Sequence, residues 1–273
     1  MNDIAYQIAG IVKLNEVILK LMEYKQRLLI RADDLGYSEG TNYGIAKTVN
    51  QGIVRSVGLM TNMSAAEHGL NLFDLEAICL GLHTNICAGR PLCDPVLIPS
   101  LVDAAGMFKS SQEYHQSNID FVVSNEAVLE IEAQLQRFIV MVGRLPDYIE
   151  GHAVKSCNFF QALKLVAVKF QLKYIPLSLS EKPILVGEKK IYVHMNSMRI
   201  DYNPWKTLEM IVEHPHFDGC ESMICHPGYL DEDILKYSSL TFPRPLEVSM
   251  LCDPKICKFI EAHRVELITY NDI

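Results

Sequence analysis

Residues 28–36 read LLIRADDLG, an apolar run that is followed at once by two adjacent carboxylates. Side chains alternate between faces along a strand, so Asp33 and Asp34 cannot point the same way while the strand continues. Neighbouring like charges also repel, unless a cation or a difference in protonation separates their roles. Asp is common in turns, so a plain loop is the alternative interpretation. The stretch therefore predicts a buried strand that ends either at a functional site or in a simple turn.

Short apolar runs alternate with helical patterns along the rest of the chain. Strands are predicted at 27–33, 56–62, 78–84, 147–151, 173–176, 190–194, 220–225 and 265–269, and helices near 39–51, 126–143, 158–171, 205–214 and 254–262. Ser38 and the pair Asn203-Pro204 are suited to begin two of these helices. This alternation predicts a mostly parallel sheet, either open or closed into a barrel.

One domain accounts for most of the 273 residues, because an α/β barrel commonly uses this length. Residues 4–22 have apolar side chains near helical spacing, interrupted by charges, and lack the features of a signal peptide or a membrane span. We therefore assign 1–26 to an N-terminal helical extension and 27–273 to a single barrel domain. The proline-containing segment 87–125 predicts a long insertion that contributes to a substrate cleft or a dimer contact.

Composition indicates a folded cytoplasmic protein. Hydrophobic residues make up 49% of the chain and charged residues 21%, which argues against disorder. The net charge of −8 gives no general attraction to nucleic acid or to an anionic membrane. None of the eight cysteines forms a CxxC pair, so we expect reduced cysteines rather than a disulfide framework or a zinc knuckle.

Histidines follow three of the predicted strands at the points where these strands end. His83 lies in GLHTNI, His152 in EGHAVKS and His226 in CHPGY. The C-terminal ends of strands converge on one face of a barrel or an open α/β sheet, where active sites are built. We therefore expect these histidines to lie close to Asp33 and Asp34. The alternative for any single histidine is a hydrogen-bonded structural role.

The predicted cluster has the donor types of a metal site. One carboxylate and two neutral imidazoles suit Zn, Mn, Co, Fe or Mg and leave positions open for water and substrate. Such an ion activates bound water and stabilises a developing oxyanion. It would also explain the paired carboxylates, with Asp34 as a ligand and Asp33 as the acceptor of a proton from water. The wide ligand separations match no short zinc motif, so the donor types carry this prediction.

The segments IRADDLGYS, GLHTNI, IEGHAVKS and ICHPGYLDEDI, in this order, resemble the signature segments of the YdjC/ChbG-like carbohydrate deacetylases. The later FPRPLEVSMLCDP resembles that family's Arg-x-x-Glu segment. The resemblance covers roughly residues 27–270. It implies a distorted (β/α) TIM-like barrel and hydrolysis of acetamido groups on sugars or oligosaccharides. It also implies a homodimer and a divalent metal, usually assigned as Mg²⁺, with Zn²⁺, Mn²⁺ or Co²⁺ as other candidates.

The family's functional residues carry over by position. Asp34 matches the metal carboxylate, His83 and His152 match the two metal histidines, Asp33 matches the proposed base, and His226 lies in the His-Pro-Gly loop. In the mechanism that this implies, Asp33 takes a proton from the attacking water. His226, as an imidazolium, then protonates the leaving sugar nitrogen.

Three further residues are candidate substrate contacts. Arg244 either orients Asp33 or binds substrate, and its structural alternative is an ion pair with Glu247 or another carboxylate. Tyr37 and Tyr229, each near a motif, are suited to stack on a sugar ring, and their structural alternative is to wall the pocket.

One segment departs from the family pattern. Many members have Gly-His-x-His-x-His where this chain reads Gly-His-Ala-Val-Lys-Ser, so Val154 and Ser156 stand in place of two histidines. Lys155 either supplies a substitute positive charge or is a solvated surface lysine. The departure raises the question of whether the substrate range or the activity itself has changed.

Two other functions fit part of the pattern. Two histidines and one carboxylate also describe the triad of non-haem Fe(II) oxygenases, but that triad does not need a second Asp or the His-Pro-Gly histidine. A non-catalytic sugar-binding protein derived from the family would bind sugar without releasing acetate, and the altered 151–156 segment favours it. We rank the metal-dependent deacetylase first.

Overall fold

A computed structural model describes residues 25–152, 154–178 and 182–273. The predicted N-terminal extension lies outside these residues, except for Lys25 and Gln26, and stays a prediction. No helix within the described part of the chain is long and apolar enough to cross a membrane.

Strands and helices alternate along the described chain. The strands are β1 (Gln26–Leu35), β2 (Ser56–Leu59), β3 (Cys79–Thr84), β4 (Ile149–Gly151), β5 (Ile184–Val186), β6 (Lys189–His194), β7 (Cys220–Cys225) and β8 (Val265–Ile268). The helices are α1 (Glu39–Asn50), α2 (Ala66–Leu70), α3 (Ser111–Gln116), α4 (Ser124–Val142), α5 (Cys157–Lys169), α6 (Pro204–Glu213), α7 (Glu232–Tyr237), α8 (Pro243–Leu251) and α9 (Pro254–Ala262).

The predicted helix starts are confirmed. The side chain of Ser38 accepts a hydrogen bond from the backbone N–H of Thr41 and caps α1. Asn203 caps α6 in the same way by accepting from Lys206. Each cap provides an acceptor for a backbone N–H that has no partner inside its helix, which is why short polar residues mark these boundaries.

Several elements differ from the sequence prediction, among them the three-residue strand β5, which was not predicted. The segment predicted as a strand at 173–176 forms only an isolated bridge, between Tyr174 and Ile149. The helices α2, α3 and α7 were not predicted, because five or six residues are too few to show a helical period. Helix α8 was not predicted either, because its buried side includes the charged residues Arg244 and Glu247.

The strands form one curled sheet in the order β4-β3-β2-β1-β7-β6-β5, with β8 pairing with β1. All neighbouring pairs are parallel except β5 with β6. In a flat sheet β1 and β4 would lie three spacings, or about 14 Å, apart. Instead, Arg31 Nη2 on β1 lies 3.4 Å from Glu150 Oε2 on β4. The sheet is therefore curled into a half-barrel, which confirms the predicted distorted barrel fold.

The curl separates two hydrophobic clusters. Leu28 and Ile30 of β1 point outward and belong to the larger cluster, which packs the sheet against the helices. Leu29, between them, points inward to a smaller cluster that includes Tyr148 and Tyr270. Because side chains alternate along β1, Arg31 and Asp33 follow Leu29 on the inner face. The barrel interior thus changes from apolar to charged towards the C-terminal ends of the strands.

Candidate active site

The backbone of Asp34 explains how two adjacent carboxylates serve one site. Its φ of +74° lies in the left-handed region, which few residues besides Gly, Asn and Asp adopt. The pairing of β1 with β2 shifts register between Ala32 and Leu35. The side chains of Asp33 and Asp34 therefore diverge, and each contacts a different arginine: Arg31 for Asp33 and Arg244 for Asp34.

Asp34, His83 and His152 form the cluster that was predicted as a metal site. Asp34 Oδ1 lies 3.3 Å from His83 Nε2 and 3.3 Å from His152 Nδ1, and the two ring nitrogens are 2.8 Å apart. One donor atom from each residue lies within 4.8 Å of the others. Asp34 Oδ1 is buried, faces both ring nitrogens and makes no well-aligned hydrogen bond with either. These donors fit a divalent cation.

Arg244 fixes the other oxygen of Asp34. Its Nη2 donates to Asp34 Oδ2 at 2.7 Å, and the arginine is only 2% exposed. Burial by itself would raise the pKa of Asp34, but Arg244 and His152 hold it well below its ordinary value. Asp34 therefore stays ionised, as a metal ligand must. Arg244 therefore pairs with Asp34, a carboxylate other than Glu247, and the expectation that it contacts substrate stays a prediction.

Asp33 is held by an arginine that sequence reasoning missed. Arg31 Nη2 donates to Asp33 Oδ2 at 2.7 Å, and its Nε lies 2.6 Å from Asp33 Oδ1. A third contact, from Arg31 Nη1 to the hydroxyl of Tyr270 at 3.1 Å, holds the guanidinium in the barrel interior. The spacing of two residues on one strand, which puts Arg31 and Asp33 on the same face, was the available signal.

Glu150 was also missed, although it precedes the predicted ligand His152 by two residues. Its Oε1 accepts a short hydrogen bond from Nδ1 of His83. Burial would lower the pKa of His83, but Glu150 and Asp33 raise it to about 9. The ring must therefore lose its Nε2 proton when a cation binds, while Nδ1 keeps its hydrogen bond to Glu150. Burial likewise opposes ionisation of Glu150, yet Arg31 and His83 lower its pKa. A charged residue within the apolar run YIEG was the sequence signal for this contact.

His226 lies just beyond β7, on the opposite side of the β1 strand end from His83 and His152. Its backbone N–H donates to Glu247 Oε2 at 2.6 Å, and its Nδ1 lies 3.4 Å from the hydroxyl of Ser197. Tyr202 donates to the other oxygen of Glu247. Burial lowers the pKa of His226 to about 4, although Asp34 and Asp33 act in the opposite direction. The ring is therefore neutral near neutral pH in this state.

The two candidate tyrosines differ in exposure. Tyr37 is buried, and Arg244 Cζ lies 5.9 Å from the centre of its ring. Burial, followed by the nearby Asp34, raises the pKa of Tyr37 to about 12. Tyr229 is 38% exposed, and its backbone N–H donates to Gly40 at the start of α1. Tyr37 thus packs behind the site, whereas Tyr229 presents its ring to solvent.

The residues that depart from the family pattern have structural partners. Val154 is buried in the larger hydrophobic cluster, between the sheet and the helices. The hydroxyl of Ser156 accepts from Phe159 N, caps α5, and donates to Asp120 at 2.8 Å. Lys155 is exposed. Of the two substituted positions, Ser156 therefore supports the start of α5, and Val154 contributes to hydrophobic packing.

Comparison with known proteins identifies the family. A model of the YdjC-like protein family matches residues 27–262. The chain belongs to this family. A carbohydrate deacetylase of Clostridium beijerinckii is 32% identical over 257 residues, which cover 90% of this chain and all of that protein. A chitooligosaccharide deacetylase of Yersinia pestis is 27% identical, covering 90% of this chain and 98% of the relative. These relatives confirm the predicted family and the predicted enzyme class, carbohydrate deacetylase.

Solved structures of low sequence identity share the fold. A crystal structure from Enterococcus faecalis V583 superposes with a TM-score of 0.77 at 22% identity, covering 91% of this chain and 99% of the other. A CE4 family pseudoenzyme from Bacillus anthracis gives a TM-score of 0.52 at 9% identity, covering 91% of this chain and 65% of the other. At these identities the likeness concerns the fold alone.

Proposed function

We propose that this YdjC-like protein is a metal-dependent hydrolase that removes acetyl groups from N-acetylated sugars or oligosaccharides. The observation that carries the proposal is the arrangement of Asp34, His83 and His152 around one buried carboxylate oxygen, with Asp33 beside them. The curated relatives support the choice of a carbohydrate as substrate.

Asp34, His83 and His152 would hold the metal. Mg²⁺ is the ion that the family resemblance implies, while two imidazole donors also suit Zn²⁺, Mn²⁺ or Co²⁺. When bound, such an ion lowers the pKa of a water ligand and stabilises negative charge on the acetyl oxygen. Arg244 keeps Asp34 ionised and oriented for this purpose.

Asp33 is the proposed general base. Its contacts with Arg31 fix the carboxylate in one orientation, which lowers the entropic cost of aligning it with the attacking water. A carboxylate removes a proton from water efficiently only when a metal has already made that water more acidic. The candidate metal ligand Asp34, which directly follows Asp33 in the chain, fits this requirement.

His226 is the proposed general acid for the leaving sugar nitrogen. A general acid must carry a proton that it can donate. In the resting site, burial lowers the pKa of His226 to about 4, so its ring is neutral near neutral pH. Negative charge that develops on the reacting group would favour the protonated ring and raise its pKa.

Tyr229, at the exposed rim, is the proposed sugar-stacking residue, with Tyr37 and Arg244 as deeper candidate contacts. We further expect a cytoplasmic homodimer.

Acetate release tests the proposal directly. The purified protein would be loaded with Mg²⁺, Zn²⁺, Mn²⁺ or Co²⁺ and incubated with a panel of N-acetylated mono- and oligosaccharides. We expect acetate from at least one combination and ~10²–10⁴-fold slower release from the Asp33→Asn variant. Sugar binding without acetate under every metal would support the non-catalytic alternative, and oxygen-dependent turnover with Fe²⁺ would support the oxygenase.

A further inference from the structure

Glu150 is a buried carboxylate whose two oxygens both contact side chains of the site. It lies on the inner face of β4 and is 4% exposed. Its Oε1 accepts from His83 Nδ1, and its Oε2 lies 3.4 Å from Arg31 Nη2. Burying a carboxylate costs several kcal/mol unless its partners compensate. The partners here are a candidate metal ligand and the arginine that holds the candidate base.

The contact with Glu150 decides which nitrogen of His83 is free. A neutral imidazole carries one N–H and one lone pair, and the hydrogen bond of one nitrogen sets the role of the other. With Nδ1–H donated to Glu150, the lone pair lies on Nε2. This is the atom 3.3 Å from Asp34 Oδ1 and 2.8 Å from His152 Nδ1.

We propose that Glu150 is a positioning residue, which directs the Nε2 lone pair of His83 at the metal. Glu150 also contacts Arg31, the residue that holds Asp33, and so connects His83 with Asp33. The guanidinium makes this link because its Nη2 contacts Asp33 Oδ2 at 2.7 Å and Glu150 Oε2 at 3.4 Å. The inference rests on the proposed metal-dependent function.

A glycine on the intervening strand makes room for this arrangement. Gly58 of β2 lies between β1 and β3, and an added Cβ would lie 3.1 Å from both Asp33 Oδ1 and His83 Cβ. The same Cβ would lie 3.4 Å from Glu150 Oε1. The side chains of Asp33, His83 and Glu150 therefore meet over a strand position that has no side chain of its own.

Cobalt binding tests the role of Glu150 without any substrate. Co²⁺ would be titrated into the metal-free wild type and into Glu150→Gln and Glu150→Ala, with affinity and the visible absorption spectrum as readouts. Loss of such an outer contact typically weakens metal binding by ~10–100-fold. We expect this loss in Glu150→Gln and a larger one in Glu150→Ala, with altered absorption bands in both. Gln keeps an acceptor for Nδ1–H, whereas Ala removes it.

Glu221→Gln is the matched control. Glu221 is also buried and bonded to a histidine, His194, at 2.7 Å, but it shares the outer face of β7 with Met223. We expect Co²⁺ affinity and spectrum to be unchanged in this variant. Thermal unfolding of the metal-free proteins would separate lost stability from lost affinity.

Three outcomes would overturn the proposal. Wild-type affinity and spectrum in both Glu150 variants would remove its positioning role, and an equal loss in Glu221→Gln would reduce the effect to general destabilisation. A wild type that binds no Co²⁺ would overturn the metal centre as well. A wild type that binds Co²⁺ normally but releases no acetate would contradict the proposed deacetylation alone.

Discussion

Arg244 Nη2 donates a 2.7 Å hydrogen bond to Asp34 Oδ2, joining two buried residues that are 210 positions apart in the chain. The guanidinium occupies one carboxylate oxygen and leaves the other facing His83 and His152. One oxygen of Asp34 is thus oriented by an arginine, and the other belongs to the cluster that fits a cation. Asp33 differs from Asp34 in this respect, because both of its oxygens face Arg31.

The two aspartates should respond differently to the same substitution. Asp34→Asn should lower metal occupancy strongly, because a site with three protein ligands has no spare donor. Asp33→Asn should retain the metal and lose turnover by ~10²–10⁴-fold, as expected when a general base is removed. Elemental analysis and acetate release measure the two effects. If Asp33→Asn empties the site instead, the two roles are reversed.

Removal of Arg244 should destabilise the metal-free protein. Arg244→Met leaves the Asp34 carboxylate buried without its cationic partner, which typically costs about 3–5 kcal/mol. Urea denaturation would measure this loss, and saturating metal should restore part of it by binding the unpaired Asp34 carboxylate. The control is Arg199→Met, because Arg199 pairs with Asp201 at the surface and its loss should change little. Equal stability of Arg244→Met and wild type would contradict the importance of the buried pair.

His226→Ala should separate amide from ester hydrolysis. An amide expels a poor leaving group unless a proton arrives as the bond breaks, and an activated acetyl ester does not have this requirement. We expect retained metal, a steep loss of activity on acetamido sugars and a much smaller loss on the ester. Parallel rate measurements on both substrates provide the test. Equal losses would show that His226 is not the general acid.

Gly58→Ala should disturb the site while the fold persists. The new Cβ, 3.1 Å from Asp33 Oδ1 and His83 Cβ, forces a small displacement of one or both side chains. Misplacement of reacting groups by about 1 Å can cost ~10²-fold in rate, so we expect at least a ~10-fold loss of acetate release. The thermal unfolding midpoint checks that the barrel remains intact. Full activity in a folded variant would show that the interior accommodates the methyl group.

Glu221 should contribute stability that is lost in acid. Burial alone would raise its pKa, but hydrogen bonds from His194 and His216 lower it below the ordinary value of 4.5. A lowered folded-state pKa stabilises the protein above the ordinary pKa, and this contribution declines as pH falls through the folded-state value. The difference in free energy of unfolding between wild type and Glu221→Gln should therefore shrink below about pH 4.5. Denaturation series at several pH values would measure it, and a difference independent of pH would contradict the assignment.

Local pattern was sufficient to predict the main strands, the longer helices and the helix caps. Strand alternation, the acceptor side chains of Ser38 and Asn203, and polar residues at strand ends are properties of neighbouring residues. Because parallel strands end on one face, the sequence also predicted that Asp34, His83 and His152 would meet. The predicted activity and the roles of individual residues came from the family resemblance, because the spacing of apolar residues indicates secondary structure and not chemistry.

Only the tertiary structure decided which charges pair. Arg31 reaches Glu150, 119 residues away, because the sheet curls and brings β1 close to β4 across its interior. Arg244 faces Asp34 rather than Asp33 because the positive φ of Asp34 turns its side chain away from the strand direction. The sequence by itself determined the elements and the residues at their ends, since these depend on local spacing. The curl and one backbone angle depend on the packing of the whole barrel, and they determined the partner of each carboxylate.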